Sequence, residues 1–189
     1  RWFAELGGWT NPQAVRYFSR FVERVVEELG DLVTLWCTIN EPSVYAFSSY
    51  LEGKWPPGER NVRTMLQVLH TLLLAHGEAY RIIHSRRGDA QVGLVKNFPL
   101  AEPVRPDSAV DRQIAAQIDR IFNTLPMNAA LTGQFRPPLG FRTVSKLIDS
   151  VDFIGVNYYT RFLFGLNRQN PAASFTPRLK AGVEISDLG

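Results

Sequence analysis

The stretch Leu32-Val33-Thr34-Leu35-Trp36-Cys37-Thr38-Ile39 runs directly into Asn40-Glu41-Pro42. The run is mostly apolar and lacks the regular alternation with polar residues that a half-buried strand shows, which is typical of a strand buried on both faces of a parallel sheet. It stops at two polar residues and a proline, which has no N–H group to continue a hydrogen-bonded ladder. The stretch therefore predicts a buried strand that presents Glu41 at its carboxyl end.

Two similar runs follow along the chain. Residues 91–95 form a short apolar run that ends at Lys96 and Asn97, and residues 153–159 form a third run that finishes on polar and aromatic groups. Amphipathic helices are predicted around these runs at 12–29, 62–85 and 109–122. This alternation predicts an α/β fold with parallel strands joined by helical crossovers, but three strands cannot close a barrel. In α/β barrels and open sheets alike, functional sites lie at the carboxyl ends of the strands.

Local signals predict the remaining structure. We expect Asn11 to cap the first long helix with Pro12 at its first position, and Gly30 to end it in a left-handed conformation. Residues 43–61 are predicted to form a long aromatic loop. Shorter helices are predicted at 127–131 and 144–149, and a loop or hairpin at 160–189.

Composition excludes several classes of protein. The 189 residues carry 21 lysines and arginines against 18 acidic residues, and a net charge of +3 is too weak to indicate a nucleic-acid partner. A hydrophobic fraction of 45% excludes a disordered chain. No run approaches the roughly 18–20 apolar residues of a membrane helix, so no membrane partner is expected. Cys37 is the only cysteine, which excludes a disulfide scaffold, and we expect an inert buried thiol. A single cysteine fits a reducing compartment, as it also fits the many secreted enzymes that lack disulfides, and we expect a cytoplasmic location.

Metal and cofactor sites are not expected. His70, His76 and His84 lie on one predicted helix, but their spacings of six and eight residues place no pair at i, i+4, as a helical zinc site would need. We expect His76 to make a structural hydrogen bond instead. The sequence also lacks a phosphate-binding glycine loop.

Glu41 is the strongest candidate for a chemical role. It follows a hydrophobic strand and precedes a segment rich in aromatic residues. A carboxyl group held among aromatic rings is poorly solvated, which favours its protonated form and suits a general acid. Asn40 offers a donor and an acceptor to a substrate hydroxyl. From position alone, a polar pair that ends a strand on the solvent side of a loop fits equally well.

Motifs along the whole chain resemble those of one family. Thr38-Ile39-Asn40-Glu41-Pro42 closely resembles the T-x-N-E-P signature of glycoside hydrolase family 1, the β-glucosidase and β-galactosidase family. Six other segments are similar to family motifs in the same order: GGWTN at 7–11, GKWPPG at 53–58, LAHG at 74–77, VGLVKN at 92–97, DFIGVNYYT at 152–160 and SDLG at 186–189.

The resemblance implies a (β/α)₈ barrel that cleaves β-glycosides with retention of configuration and needs no cofactor or metal. It implies that Glu41 is the acid/base at the end of the family's fourth strand and that Asn40 binds the sugar 2-hydroxyl. It places Asn157 and Tyr159 at the end of the sixth strand, with Tyr159 bonded to the nucleophile carboxylate. The expected partner is a small-molecule β-glycoside, with β-glucosides preferred; the oligomeric state is not predicted.

The aromatic residues after Glu41 allow two interpretations. Aromatic rings give a rigid platform for the apolar faces of sugars, but rings in such a loop also pack on the rim of a barrel. We expect Tyr50 to pack and consider Trp55 a candidate contact on the aglycone side.

No residue of this sequence matches the nucleophile of the family. Retaining hydrolysis needs two carboxyl groups about 5–5.5 Å apart, and the family's T/S-E-N-G motif at the seventh strand is absent from residues 1–189. We do not assign this role to Glu184. The resemblance thus implies one partial domain over 1–189, with about strands 4 to 6 of the barrel and no activity by itself. Two alternatives stay open: another (β/α)₈ retaining glycosidase with an Asn-Glu pair, such as an endo-acting cellulase or mannanase, and a non-catalytic sugar-binding remnant.

Overall fold

The computed structural model describes residues 1–180. They form two compact units, the first of residues 1–97 and 125–157 and the second of residues 98–124 and 158–180. Glu184 and the motif at 186–189 lie outside the described residues. The single partial domain over 1–189 stays a prediction.

Helices and strands alternate along the chain, as an α/β fold requires. The α-helices are α1 (Trp2–Glu5), α2 (Ala14–Leu29), α3 (Pro42–Tyr50), α4 (Val62–Arg86), α5 (Ala109–Asp119) and α6 (Leu125–Thr132). The strands are β1 (Leu35–Asn40), β2 (Gln91–Asn97), β3 (Leu100–Pro103), β4 (Gln134–Phe135), β5 (Arg142–Thr143), β6 (Phe153–Asn157) and β7 (Arg161–Phe164). Short 3₁₀ turns lie at Gly8–Thr10, Ser145–Leu147 and Pro171–Phe175, and a π-helical turn lies at Arg120–Thr124.

The first unit is built on a parallel sheet in the order β1-β2-β6. The central strand β2 is buried, with Val92 and Leu94 at most 1% exposed. The outer strands differ from the prediction of burial on both faces, since Leu35 of β1 is 62% exposed and Val156 of β6 is 65% exposed. Cys37 is exposed as well, so the expectation of a buried thiol is wrong. It lies on the same face of β1 as Leu35, two residues away, whereas α4 packs on the other face.

Helix α4 is the central element of the core, and its predicted extent is confirmed. The side chain of Asn61 caps its start by accepting hydrogen bonds from the amides of Arg63 (2.9 Å) and Thr64 (3.3 Å). Apolar side chains then recur at helical spacing and are buried against α2, α3 and α6: Val68, Leu69, Leu72, Leu73, Ala75 and Ala79.

Helix α3 replaces the first half of the loop predicted for 43–61. Pro42 occupies the first helical position, where its missing N–H costs nothing. Ala46 and Tyr50, one turn apart, are at most 2% exposed and pack in the core that α4 dominates. The helical period was hidden because serines and aromatic residues, which favour helices weakly, fill most of the segment. The predicted packing role of Tyr50 is confirmed, and burial raises the pKa of its hydroxyl group.

Both ends of α2 differ from the prediction. Oδ1 of Asn11 accepts a hydrogen bond from the amide of Gln13 (2.7 Å), which forms a turn before the helix, so α2 begins at Ala14 and not at Pro12. Gly30 has φ −58° and is right-handed, so it is not a left-handed cap. A Cβ atom at Gly30 would lie 2.5 Å from the carbonyl oxygen of Val26, so close packing favours glycine at this position.

The second unit contains the parallel pair β3-β7 and helix α5. The sequence did not predict β3, and β7 corrects the expectation of loop or hairpin after residue 160, since β7 pairs in parallel with a distant strand. Helix α5 ends at Asp119 and continues as the π-helical turn, where one α-helix to residue 122 was expected. In the first unit, α6 extends the predicted helix at 127–131, while the segment 144–149 forms only a 3₁₀ turn.

Candidate active site

Each strand of the three-stranded sheet ends in an asparagine. Asn40 ends β1, Asn97 ends β2 and Asn157 ends β6. Parallel strands end at the same edge of a sheet, and Asn97 and Asn157 are direct partners in the register. Because Glu41 follows Asn40, this edge of the first unit carries three amide groups and one carboxyl group.

Hydrogen bonds connect these four side chains, and two of the bonds converge on one oxygen of Glu41. Nδ2 of Asn157 donates to Oε1 of Glu41 (2.7 Å) and lies 3.3 Å from Oδ1 of Asn40. Nδ2 of Asn97 approaches the same Oε1 atom at 3.4 Å. Oε2 accepts no hydrogen bond from the described residues, so Glu41 keeps one oxygen available for proton transfer.

The backbone of Glu41 adopts a conformation that is rare for residues other than glycine. Its φ and ψ angles are 50° and 56°, in the left-handed region. Its amide donates to the carbonyl oxygen of Val95 on β2 (2.8 Å), and its own carbonyl accepts from the amide of Tyr45 (3.1 Å). Glu41 therefore occupies a sharp strand-to-helix turn at the start of α3, and its carboxylate does not cap that helix. Such strain is characteristic of functional positions.

The surroundings of Glu41 are more polar than the sequence suggested. The hydrogen-bonding contacts of its carboxyl group are the amides of Asn97 and Asn157, and the side chain is partly exposed. The aromatic residues Tyr45 and Tyr50 belong to α3 and contact each other, with ring centres 6.0 Å apart. Polar amides around a carboxyl group can orient it and still leave it able to exchange a proton with a bound molecule.

Of the predicted site residues, the structure brings Asn40, Glu41 and Asn157 together. Trp55 lies in the loop after α3 with 47% of its surface exposed, and within the described residues it makes no hydrogen bond to these three. Tyr159 belongs to the second unit and is 66% exposed. The roles of Trp55 and Tyr159 stay predictions.

Sequence reasoning missed Asn97 as a site residue. The available signal was its position as the polar residue that ends a buried strand, the same position that singled out Asn40. Its approach to Glu41 depends on the pairing of β2 between β1 and β6, which only the structure gives.

Within residues 1–180, no group of three or more His, Cys, Asp or Glu side chains is arranged to hold a metal ion. None of the described helices combines the length and the apolar character required to cross a bilayer.

Known proteins resemble this chain in sequence and in structure. β-Glucosidase A of Thermotoga maritima is 29% identical over 201 residues, a match that covers 97% of this chain and 45% of the relative. β-Glucosidase A of Acetivibrio thermocellus is 38% identical over 97 residues, covering 51% of this chain and 22% of the relative. The β-glycosidase of Pyrococcus horikoshii superposes with a TM-score of 0.81 at 34% identity, over 98% of this chain and 42% of that structure.

This chain spans less than half the length of each of these proteins. Structural relatives of this kind are (β/α)₈ barrels, and the three parallel strands with their helices are a partial α/β fold of that type. The sequence profile of Glycosyl hydrolase family 1 matches residues 2–184, nearly the whole chain. Together with the Asn40-Glu41 pair at the carboxyl edge of the sheet, this match identifies the chain as a member of glycosyl hydrolase family 1.

Proposed function

We propose that this chain is the central part of a retaining β-glycosidase that removes terminal β-linked sugars, foremost glucose, from small glycosides, with Glu41 as its general acid/base. The observation that carries the proposal is the hydrogen bond from Nδ2 of Asn157 to Oε1 of Glu41, at 2.7 Å. It holds a partly exposed carboxyl group at the edge of the sheet where α/β enzymes place their catalytic residues. Membership of a glycosidase family supports the choice of reaction.

The proposed reaction has two steps. In the first, protonated Glu41 gives its proton to the glycosidic oxygen as the bond to the anomeric carbon breaks and a nucleophilic carboxylate bonds to that carbon. In the second, ionised Glu41 takes a proton from water while the water oxygen attacks the anomeric carbon and the nucleophile leaves. Glu41 ends protonated, ready for the next cycle.

The neighbouring residues would bind the sugar. Asn40 would donate to the 2-hydroxyl, a contact that strengthens as positive charge develops on the ring. Asn157 would orient Glu41 and face the same pocket. Tyr159 would hold the nucleophile carboxylate, and Trp55 would stack on the aglycone. In this proposal the strands β1, β2 and β6 correspond to strands 4 to 6 of the barrel.

The second carboxylate would come from sequence outside residues 1–189. Two carboxyl groups about 5–5.5 Å apart are needed for retention, so the isolated chain is expected to hydrolyse no glycoside. Turnover of an aryl β-glucoside by the isolated chain, abolished by Glu41→Gln, would overturn this part of the proposal. A cytoplasmic location also stays a prediction.

The acid/base role is tested in the full-length protein encoded by the gene that carries this chain. Glu41→Ala removes the acid/base, and we expect kcat/KM for phenyl β-glucoside to fall by about 10²–10⁴-fold. With 2,4-dinitrophenyl β-glucoside, whose leaving group departs without a proton, added azide should restore turnover of this variant and give the β-glucosyl azide, because azide needs no base to attack the anomeric carbon. The exposed Glu23→Ala of α2 is the matched control and should change neither rate nor product. The role of Glu41 would be refuted if the wild type hydrolysed both glucosides and azide failed to restore turnover by Glu41→Ala.

A further inference from the structure

Strand β1 contains a bulge immediately before the site. Cys37 pairs with Gly93, and the next register pair is Asn40 with Val95. Between these pairs β1 advances by three residues while β2 advances by two, so β1 holds one extra residue at positions 38–39. Bulges of this kind are frequent beside active sites because they redirect the side chains that follow.

The extra residue decides which face of the sheet Asn40 occupies. Register partners in a parallel pair face the same side, so Cys37 shares a face with Gly93. In an unbroken ladder Ile39 would pair with Val95, and Asn40 would point to the opposite, helix-covered face. The bulge pairs Asn40 with Val95 instead and turns Asn40 to the face of its neighbours.

Asn97 and Asn157 lie on that same face. Asn97 lies two residues beyond Val95 on β2, and Asn157 is its register partner on β6. The contact between Nδ2 of Asn157 and Oδ1 of Asn40 (3.3 Å) agrees with this placement. The bulge is therefore what brings Asn40 and Glu41 to the asparagines of the other two strands.

The side chain of Thr38 links the bulge to β2 and to α4 through hydrogen bonds. Oγ1 of Thr38 donates to the carbonyl oxygen of Gly93 (3.3 Å), at the point where the ladder is interrupted. The same oxygen lies 2.7 Å from Nδ1 of His76 on α4. The tautomer of the His76 ring sets which of the two groups donates, and with either tautomer the hydrogen bond links β1 to α4.

His76 is suited to a fixed hydrogen bond. Its side chain is fully buried in the middle of the longest helix. Burial lowers the pKa of His76 to about 4, so the ring is neutral at neutral pH and the bond to Thr38 does not change there. A buried bond between a helix and a bulged strand fixes the position of the strand more firmly than exposed contacts do.

We propose that Thr38 and His76 are positioning residues for catalysis, which hold the bulge of β1 so that Glu41 and Asn40 meet the substrate in the right orientation. The inference rests on the proposed acid/base role of Glu41. Neither residue needs to touch the substrate, since Thr38 acts through the backbone of β1. The inference predicts a larger defect for a substrate that needs the proton from Glu41 than for one that does not, a difference that a general loss of stability would not produce.

The test compares two substrates in the full-length protein. The kcat/KM value reports the steps up to departure of the aglycone. A poor leaving group, such as phenol, needs a proton from the acid, whereas 2,4-dinitrophenol departs without one. Thr38→Val keeps the shape of the side chain and removes the hydroxyl. We expect kcat/KM for phenyl β-glucoside to fall by about 10- to 100-fold and that for the dinitrophenyl glucoside, which still uses the Asn40 contact but not the proton, to fall by a smaller factor.

Three further variants make the result decisive. All rates are expressed per folded protein. His76→Phe removes the hydrogen bond to Thr38 from the helix side and should reproduce the effect of Thr38→Val on the two substrates. Thr38→Ser, which keeps the hydroxyl, should restore the phenyl glucoside rate. Val68→Ala opens the core at another fully buried position of α4 and should not separate the two substrates.

An equal loss on both substrates, or no loss on either, in both Thr38→Val and His76→Phe would overturn the inference. Failure of the proposed function is recognised separately, because Glu41→Gln itself would then fail to separate the two substrates.

Discussion

Nδ2 of Asn157 lies 2.7 Å from Oε1 of Glu41, although 116 residues separate the two along the chain. Glu41 follows β1 and Asn157 ends β6, which are the two outer strands of the sheet, and the central strand β2 lies between them. The contact therefore crosses over the end of β2, where Asn97 approaches the same oxygen at 3.4 Å. All three strands therefore help to place this carboxyl oxygen. The shorter distance indicates that Asn157 holds it more strongly than Asn97 does.

The ranking gives the first prediction. A hydrogen bond to a charged group is worth about 1.5–3 kcal/mol and weakens as it lengthens. We expect Asn157→Ala to lower kcat/KM for an aryl β-glucoside in the full-length protein by about 10- to 100-fold, and Asn97→Ala to lower it less. Asn128→Ala, at an exposed position of α6, should leave the rate unchanged. A larger loss for Asn97→Ala than for Asn157→Ala would contradict the geometry.

Strong local patterns made much of the fold predictable. Helix α4 combines an asparagine cap at Asn61 with apolar residues at helical spacing, and both signals act within the segment itself. Helix α3 was missed because its burial against α4, and not its own composition, makes it helical. The exposure of Leu35 and Cys37 was missed for the related reason that an apolar strand does not reveal which of its faces is covered.

The candidate site was predictable to the level of strand ends. Asn40 and Glu41 follow from the rule that parallel strands present their carboxyl ends at one edge, whereas Asn157 was identified through the resemblance of residues 152–160 to the family motif. The β1 bulge was not predictable, since an extra residue in a ladder is defined only by the partner strand. Asn97 was missed because its role depends on that pairing as well.

The second prediction concerns Asp111, the buried anchor of the second unit. Its carboxylate accepts hydrogen bonds from Nε and NH2 of Arg105 (2.7 and 2.8 Å) and from the amide of Leu166 (2.9 Å). The hydrogen bonds from the Arg105 guanidinium hold the pKa of Asp111 well below its usual range. Asp111→Asn keeps the shape but not the charge.

We expect Asp111→Asn to speed hydrogen exchange at the amides of Arg105 and Leu166, because both segments lose the group that ties them to α5. Exchange measured residue by residue on the wild type and the variant checks this. Asp107→Asn, at an exposed neighbouring position, is the control and should leave both amides protected. Unchanged exchange in Asp111→Asn would mean that the ion pair does not hold these segments.

The third prediction reverses a common rule for helices. Alanine is normally more stable than glycine inside a helix by about 1 kcal/mol. At Gly77 of α4, however, a Cβ atom would lie 2.8 Å from the carbonyl oxygen of Lys146 and from a methyl group of Leu147. Overpacking of this kind costs about 1–3 kcal/mol, so Gly77→Ala should lower the free energy of unfolding. Urea titration measures it. Gly88→Ala, where a Cβ would meet nothing within 4 Å, is the control.

The fourth prediction is a pH dependence at the opposite end of the sheet from Glu41. Asp152 precedes β6, and its carboxylate accepts hydrogen bonds from the amide of Val92 (2.7 Å) and the hydroxyl of Tyr80 (2.8 Å). Nε2 of His84 lies 2.8 Å from the same carboxylate. Burial alone raises the pKa of Asp152, but these hydrogen bonds outweigh burial, and the pKa is lower than that of a free aspartate.

A lowered pKa in the folded protein means that ionised Asp152 stabilises the fold. This contribution is complete above the pKa of the unfolded chain, about 3.9, and is lost as the pH falls through the lower folded value. We expect Asp152→Asn to reduce the free energy of unfolding by about 1–3 kcal/mol at pH 7, and the gap between wild type and variant to shrink below about pH 4. Urea unfolding of wild type and variant at pH 7 and at pH 3 measures the gap.

Asp89→Asn serves as the matched control for Asp152→Asn, since the Asp89 side chain is 64% exposed and its contact with Arg87 is long, at 3.4 Å. An exposed ion pair contributes less than about 1 kcal/mol, so this variant should stay close to the wild type at pH 7. A gap for Asp152→Asn that is the same at pH 7 and at pH 3 would contradict the prediction. It would mean that the shape of the side chain, and not its charge, joins α4 to β2 and β6.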